Sequence, residues 1–366
     1  MELSKIVITG GPCAGKTTAM SWIQNAFVPR GYTVLFIGET ATEFIRGGVA
    51  PWTTGCNLDY QKVQLSLQIE KERLFEQAAR TMKADKVLIV CDRGLLDNKA
   101  YMTPEEFEEA MRYLGTNEVE MRDGYDAVFH LVSAAKGAEE FYTTANNAAR
   151  TETVEQARDL DDRLIAAWTG HPHLRVIDNA TDFSLKMRRL IAEISSFLGE
   201  SAPYKAQRKF LIEYPDVLML ENLKKCTRVE ISQTYLRSPS GKEIRIRQRG
   251  GNGHYIYFQK MLRNPADPTK VNIERRLDKD EYLKLLMEAD PSMRQIRKTR
   301  YCLTYHRRYF ELDLYPFWKD KAVLKVPIQA EDDEIRFPKW VKILSEITDD
   351  EHYTNLALAT DPNIGD

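Results

Sequence analysis

Lys5-Ile6-Val7-Ile8-Thr9 runs directly into Gly10-Gly11-Pro12-Cys13-Ala14-Gly15-Lys16-Thr17, and Thr18-Ala19-Met20 follows. The first five residues read as a short buried strand, the next eight as a glycine-rich turn, and the rest as the opening of a helix. The spacing G-x-x-x-x-G-K-[ST] needs each residue type for a reason. Gly10 and Gly15 let backbone N–H groups curl around a phosphate. The helix N-terminus adds partial positive charge at the same point. Lys16 can reach the β- and γ-phosphates, and the Thr17 hydroxyl can ligate Mg²⁺. The expected nucleotide site is therefore Gly10, Gly11, Pro12, Cys13, Ala14, Gly15, Lys16, Thr17 and Thr18.

Strand-like apolar runs recur at Thr33–Ile37, Lys86–Cys91, Ala127–Leu131 and Leu174–Ile177, with helical stretches between them such as Tyr60–Arg80 and Asp182–Phe197. This alternation predicts an α/β domain whose parallel sheet is covered by helices on both faces. Ligands in such sheets bind at the carboxyl ends of the strands. Glu39 follows the second strand, and Asp92-Arg93-Gly94 follows the third. An acid there can hold a metal or its water, an arginine can clamp phosphate oxygens, and a second acid can orient an acceptor hydroxyl. Glu39 also reads as a helix cap or a solvated acid. Arg150 and Arg158 lie among Glu152, Glu155, Asp159, Asp161 and Asp162. They read either as a salt-bridged, solvated helix or as a lid that closes on phosphates.

Gly199-Glu200-Ser201-Ala202-Pro203 reads as a linker. It divides the chain into domains at 1–199 and 204–366. Beyond it strands become longer, alternating and charged: Arg208–Glu213, Glu243–Arg249, Tyr255–Lys260, Arg300–Tyr305 and Tyr309–Tyr315, with helices expected at Lys279–Met287 and Pro338–Leu344. This predicts an antiparallel β-barrel or tunnel domain with small helices. In Ile244-Arg245-Ile246-Arg247-Gln248-Arg249, three arginines share one face of a strand. Together with Lys209, Lys260, Lys298 and Arg300, they would line a cavity positive enough to demand a polyanion. The alternative is an edge strand with its charges in water.

The chain of 366 residues is long enough for two cores, and its formal net charge of −2 supports no whole-chain affinity for nucleic acid or membrane. Charge is uneven: residues 241–310 hold 17 Lys and Arg against 8 Asp and Glu, and residues 329–352 hold 8 acids against 3 bases. Five scattered cysteines argue against a disulfide framework or zinc site and for a reducing, cytoplasmic setting. No signal region, lipid anchor or apolar run of roughly 18 residues is seen, so membrane contact is at most peripheral. Aromatics interleave with the basic strands at Tyr255, Tyr257 and Phe258, but they suit an outer core as well as base stacking, and no nucleic acid partner is expected.

The N-terminal pieces, Gly10–Thr17, Gly38-Glu39-Thr40-Ala41-Thr42, Asp92-Arg93-Gly94-Leu95-Leu96-Asp97 and Arg150…Arg158…Asp161…Trp168, resemble the NadR-like nucleoside/nucleotide kinase branch of P-loop proteins. The resemblance implies an Mg²⁺-dependent transfer of the γ-phosphate of ATP or GTP to a small acceptor. Lys16, Glu39, Asp92, Arg93, Arg150 and Arg158 would be catalytic, with Glu39 facing the acceptor, Thr17 and Asp92 serving Mg²⁺, and the arginines on phosphates. Asp178-Asn179 would lie near the base. Asn98-Lys99-Ala100-Tyr101 lacks the aspartate of a guanine-reading N-K-x-D, which leaves ATP slightly favoured.

The C-terminal pieces, Arg208–Ile212, Gln233–Leu236, Ile244–Arg249, Asn272–Leu277, Ile296–Tyr301, Glu311–Tyr315 and Ile347–Ala359, resemble the CYTH or triphosphate-tunnel family. That family has a closed eight-stranded tunnel that binds triphosphate through basic walls and holds metal with acids. The opening E-x-E-x-K appears here as Lys205-Ala206-Gln207-Arg208-Lys209, and the late E-x-E as Lys325-Val326-Pro327. Glu274, Glu311 and Asp313 remain as a possible weak metal set. The expectation is a domain that binds a polyphosphate or phosphorylated headgroup without cleaving it. Proteins resembling this domain pairing include trafficking factors described as binding GTP and phosphoinositides. A nucleotide-dependent switch that docks polyanions without kinase turnover is therefore the alternative to a kinase.

Overall fold

The computed structural model describes residues 1–141, 153–200, 207–223, 225–238, 243–262, 273–306, 308–328 and 334–361. The chain forms two compact units, Met1–Phe197 and Leu198–Asp366.

In the first unit β1 (Glu2–Gly10), β2 (Tyr32–Ile37), β3 (Lys86–Asp92), β4 (Ala127–Leu131) and β5 (Leu174–Ile177) form a sheet in the order β2-β3-β1-β4-β5. Every pairing is parallel. The helices between them are α1 (Lys16–Phe27), α2 (Thr40–Arg46), α3 (Asn57–Thr81), α4 (Pro104–Leu114), α5 (Glu118–Asp123), α6 (Val154–Trp168) and α7 (Phe183–Phe197), with a 3₁₀ helix at Leu95–Tyr101. The expected α/β layering holds, and its cause is visible in the strands. Ile6–Ile8 and Leu88–Cys91 are fully buried, as strands covered on both faces must be. The register sets Asp92 beside Ile8 and Gly10 beside Leu131, so the carboxyl ends of β3, β1 and β4 adjoin.

The second unit is one nine-stranded antiparallel sheet. Its strands are β6 (Gln207–Glu213), β7 (Cys226–Tyr235), β8 (Glu243–Gly251), β9 (His254–Leu262), β10 (Ile273–Leu277), β11 (Ile296–Tyr305), β12 (Arg308–Leu314), β13 (Lys321–Pro327) and β14 (Ile343–Glu346). They lie in the order β10-β9-β8-β7-β11-β12-β13-β6-β14. Short helices α8 (Val217–Glu221), α9 (Lys279–Leu286) and α10 (Asn355–Thr360) accompany it. One core gathers Phe210, Ile212, Phe310, Leu312 and Leu324, and a second gathers Leu211, Tyr235, Tyr315, Trp318 and Leu358.

The expected antiparallel domain is present; among the described residues its sheet has nine strands, where the family resemblance implies eight, and β10 and β14 end the strand order. One expectation needs correction here. Pro338–Leu344 is not a helix: Val341 donates one turn bond to the Pro338 carbonyl, and the chain then pairs as β14 against β6. Trp340 and Val341 pack on the first core, and the Glu213 backbone N–H donates to the Lys342 carbonyl at 2.9 Å. Tertiary pairing therefore outweighs local helical pattern.

Candidate functional site

The loop after β1 has the geometry of an anion cradle. Cys13 (φ 57°) and Gly15 (φ 92°) adopt left-handed conformations, and Gly15 caps the start of α1. Gly10 cannot be replaced, because a Cβ there would lie 2.1 Å from the Leu131 carbonyl oxygen. Lys16 is buried, and its Nζ donates to the Gly10 carbonyl at 3.2 Å. Burial and then Arg93 push its pKa down, while Asp92, Glu39 and Asp97 pull it up. Lys16 thus shares one electrostatic cluster with the acids at the ends of β2 and β3.

Arg93, at φ 68°, donates its backbone N–H to the Ile8 carbonyl and its Nε to Glu39 Oε1 at 2.5 Å. Glu39 Oε2 accepts the Thr42 hydroxyl at 2.8 Å. Burial works against ionisation of Glu39, but Arg93 and Lys16 outweigh it and hold the carboxyl at about 2. Asp92 is shifted the other way, up, chiefly by burial and then by the neighbouring Glu39, with Lys16 opposing. Two neighbouring acids are thereby pushed apart in acidity, the usual signature of divided roles. Asp92 Oδ1 and Arg93 Nη1 are both buried without a hydrogen-bond partner among the described residues. In native structures such groups are paired with protein, ordered water, an ion or a ligand.

The Glu39 shift makes a pH prediction. Its folded pKa lies below the ordinary 4.5, so its stabilising contribution is whole above about pH 4.5 and is lost as pH falls toward 2. Urea midpoints of wild type and Glu39→Gln should differ by a constant amount from pH 5 to 8 and converge only in the acid limb. Convergence near neutral pH would contradict the Arg93–Glu39 pairing.

Several supporting residues were given no role of their own in the sequence, although Asp97, Asp161 and Trp168 lie in the quoted motifs. Asp161, fully buried on α6, accepts from the backbone N–H groups of Gly11 and Ser133, from His130 Nε2 and from Lys136 Nζ, each at 3.0 Å. The Ser133 hydroxyl donates to the Pro12 carbonyl at 2.5 Å. Lys186 Nζ donates to the carbonyls of Ala14 (3.1 Å) and Val132 (2.7 Å) and to Asn179 Oδ1 (2.7 Å). Burial lowers Lys186 to about 8. Asp97 takes its own Gly94 amide, the Trp168 indole N–H and the Thr9 hydroxyl, which fixes the turn that follows Arg93.

The expected site residues fall into three groups. The structure brings Lys16, Glu39, Asp92 and Arg93 together. Asn179 and Arg158 shape the loop after β4. The Asn179 amide donates to the Ser133 and Lys136 carbonyls. Arg158 donates to the Ala135 carbonyl and to Glu139. Arg150, Lys205 and linker residues 201–203 lie outside the described residues.

Mg²⁺ binds through one or two carboxylates with phosphate oxygens and water. The exposed Thr17 hydroxyl and the unpartnered Asp92 Oδ1 fit that need.

In the second unit, register places the expected cations on one face. Glu274 pairs Lys260, Lys260 pairs Arg245, and Arg245 pairs Tyr235. Arg247 pairs Gln233, and Arg249 and Lys298 flank Ile231. Arg300 pairs Asp313, and Lys325 pairs both Glu311 and Lys209. The face is over-supplied with positive charge. Arg247 is pushed down by burial and by Arg245, Arg300 and Arg249, with Glu274 opposing, and Lys209 by burial and Lys325.

Asp313 serves as the shared counterion. Its Oδ2 lies 2.7 Å from Lys298 Nζ and 3.0 Å from Lys325 Nζ, and its Oδ1 lies 2.6 Å from Arg300 Nε. Glu311 pairs Arg300 at 2.6 Å, and Glu274 pairs Lys260 at 3.6 Å. The expected metal set of Glu274, Glu311 and Asp313 is not assembled. Among the described residues no three His, Cys, Asp or Glu side chains group to hold a metal, because cations already occupy these carboxylates.

No described helix is long and apolar enough to cross a membrane. No curated protein matches the chain. Among solved structures, the crystal structure of the inorganic triphosphatase NE1496 is 26% identical over 43% of this chain and 97% of that one, with a TM-score of 0.32. The structure of PH1819 protein from Pyrococcus horikoshii OT3 is 19% identical over 34% of this chain and 80% of that one, with a TM-score of 0.25. Residues 5–186 match the family model of an AAA domain, in agreement with the P-loop geometry of the first unit.

Proposed function

We propose that the first unit transfers the γ-phosphate of ATP or GTP, with Mg²⁺, to a small acceptor of the nucleoside or nucleotide class, and that the basic face of the second binds a polyphosphate or phosphorylated headgroup without cleaving it. The observation that carries the first half is the meeting of Lys16 with Asp92 and Arg93, each of which keeps one buried polar atom unpaired. Lys16 would neutralise the phosphates, Arg93 Nη1 would take an oxygen of the moving phosphoryl group, and Thr17 and Asp92 would hold Mg²⁺. Bound there, Mg²⁺ would offset charge on the β- and γ-oxygens. Glu39, held at about 2, is too acidic to store a proton at neutral pH and would instead orient the acceptor hydroxyl. Phosphoryl transfer through a loose transition state asks mainly for such positioning. Incubation with γ-labelled nucleotide, Mg²⁺ and a pooled metabolite extract should yield a new labelled small molecule.

The Lys298, Arg300 and Lys325 contacts to Asp313 support binding over hydrolysis at the second site, since metal-assisted cleavage needs free carboxylates. Tripolyphosphate should bind the full chain in the presence of chelator and remain intact with Mg²⁺ or Mn²⁺. Metal-dependent cleavage that survives Lys16→Ala and disappears with Arg247→Ala would overturn this half.

The Glu39–Arg93 ion pair also favours a second reading. A Glu39 carboxylate held ionised by Arg93 cannot act as a general base near neutral pH, which suits a nucleotide-dependent switch, with the basic face docking phosphoinositides or other polyanions.

A further inference from the structure

The glycine-rich loop is gripped at alternate peptides by buried side chains from other elements. Gly11 gives its backbone N–H to Asp161 on α6 at 3.0 Å. The Pro12 carbonyl takes the hydroxyl of Ser133, fully buried in the turn after β4, at 2.5 Å. Ser133 Oγ itself accepts the Ala135 N–H at 3.2 Å, which leaves its own proton for Pro12. The Ala14 carbonyl takes Lys186 Nζ, from the first turn of α7, at 3.1 Å. That turn packs on the loop: a Cβ on Gly15 would meet the Phe183 ring at 2.6 Å and the Met187 methyl at 3.8 Å.

Lys186 is 3% exposed, and its hydrogen bonds go to neutral oxygens: the Ala14 carbonyl, the Val132 carbonyl at 2.7 Å and Asn179 Oδ1 at 2.7 Å. An ammonium has three N–H donors, and here three acceptors meet it. Asn179 in turn donates to the Ser133 and Lys136 carbonyls at 2.8 and 3.0 Å, so the turns after β4 and β5 and the glycine-rich loop converge on this one charge. In a trans peptide the C=O of one residue and the N–H of the next point in opposite directions. No cis peptide is present in the described chain. Holding the Pro12 and Ala14 carbonyls on one side therefore turns the Cys13 and Gly15 N–H groups to the other. Cys13 and Gly15 have φ of 57° and 92°, the left-handed turns that gather N–H groups into an anion-binding concavity.

We propose that Ser133 and Lys186 are positioning residues for nucleotide binding: they fix the Pro12 and Ala14 carbonyls and so aim the Cys13 and Gly15 N–H groups at the phosphates. This rests on phosphate binding by the first unit and not on transfer of the phosphoryl group. A pH dependence comes with it. Burial lowers the Lys186 pKa to about 8; Asp161 on α6 opposes, Arg189 on α7 adds to the fall, Asp178 after β5 opposes and Lys16 on α1 adds. Of the other charged groups nearby, Lys136 is paired with Asp161 and Asp162, and His130 on β4 is bonded to Asp161. Lys186 is thus charged at neutral pH and loses its proton as pH rises through about 8. The neutral amine has two N–H groups and a lone pair for three acceptors, so one oxygen is left without a donor. The Ala14 carbonyl, at the longest of the three bonds, is the one released. A bound triphosphate favours the charged form, so affinity falls as the proton leaves.

The test is ATP binding with chelator present, on the full chain, Lys186→Met, Lys186→Arg and Ser133→Ala, with binding that survives Lys16→Ala subtracted. Wild-type affinity should fall about tenfold between about pH 7.5 and 9.5, the change carried by one pKa unit. Lys186→Met should bind about tenfold more weakly at the lower pH and show no further fall. Lys186→Arg, charged throughout this range, should also lose the fall. Ser133→Ala should bind about fivefold more weakly, the loss of one hydrogen bond, and keep the wild-type pH profile. Residues that only braced the fold would lower the unliganded thermal midpoint and leave that profile as it is. A flat wild-type profile, or a fall that survives both Lys186 variants and so belongs to Lys16, would overturn the role of Lys186. Unchanged affinity in Ser133→Ala would overturn the role of Ser133. If Lys186→Met does not fold, the arginine and Ser133 variants decide. Binding that behaves as expected without γ-phosphate transfer would support both positioning roles and contradict the phosphotransfer reading alone. Absence of Lys16-dependent binding in wild type would overturn both.

Discussion

Asp313→Asn is expected to destabilise the second unit by about 3–5 kcal/mol, the range for removing one partner from a buried ion pair. Asp313 is fully buried, and its two oxygens are shared among Lys298, Arg300 and Lys325. Asparagine fills the same space but leaves Lys298 and Lys325 without their shared counterion and Arg300 with Glu311 alone. The three cations hold the Asp313 carboxyl well below its usual value against the effect of burial, which is the same coupling seen from the acid. Lys298 bears the complementary strain, since burial drives its pKa well below the ordinary range. Urea unfolding followed on the transition of residues 198–366 would measure the loss. Added tripolyphosphate should restore more stability to the variant than to wild type, because an anion bound only to the folded state stabilises by mass action and here replaces a missing charge. A variant within about 1 kcal/mol of wild type would mean that solvent, not Asp313, neutralises this face.

Asp92→Asn is expected to lower γ-phosphate transfer by about 10²–10³-fold, the loss typical of one group that stabilises transition-state charge. Nucleotide affinity measured without divalent metal should change little, because the loop backbone, Lys16 and the α1 N-terminus remain. The split matters, since an aspartate that only braced the fold would alter stability and metal-free affinity as well. Oδ1 has no partner to lose, so the substitution should leave the thermal midpoint near wild type or raise it.

Much of the first unit is legible in its residues. Strands β2 to β5 are short apolar runs, and their ends fall within a residue of where Val, Ile and Leu give way to polar groups. The meeting of Glu39, Asp92 and Arg93 with Lys16 is legible because neighbouring parallel strands bring their carboxyl ends together. Asp161 lies in a quoted motif but was given no role, because the acidic run of residues 159–162 resembles a solvated face. The clue was its place on the stripe of Ala157, Leu164 and Trp168, where an acid must find buried donors. Lys186 was hidden for a related reason: a lysine looks like the outside of α7 until packing shows it to be on the inside.

In the second unit, β7 escaped because Glu230, Ser232, Gln233 and Thr234 interrupt its apolar alternation. Gln233 and Thr234 are nonetheless buried. The arginine face of β8 could be read from period two alone. The capture of Asp313 and Glu311 by cations could not, because it depends on the register of β11, β12 and β13 across residues far apart in the chain.

The most direct test follows the γ-phosphate. The full chain would be incubated with γ-labelled ATP or GTP, Mg²⁺ and a pooled metabolite extract, beside Lys16→Ala. The phosphotransfer reading predicts a new labelled small molecule with wild type and none with the variant, and the product identifies the acceptor. Tight nucleotide binding by wild type with no labelled product and negligible hydrolysis would contradict it.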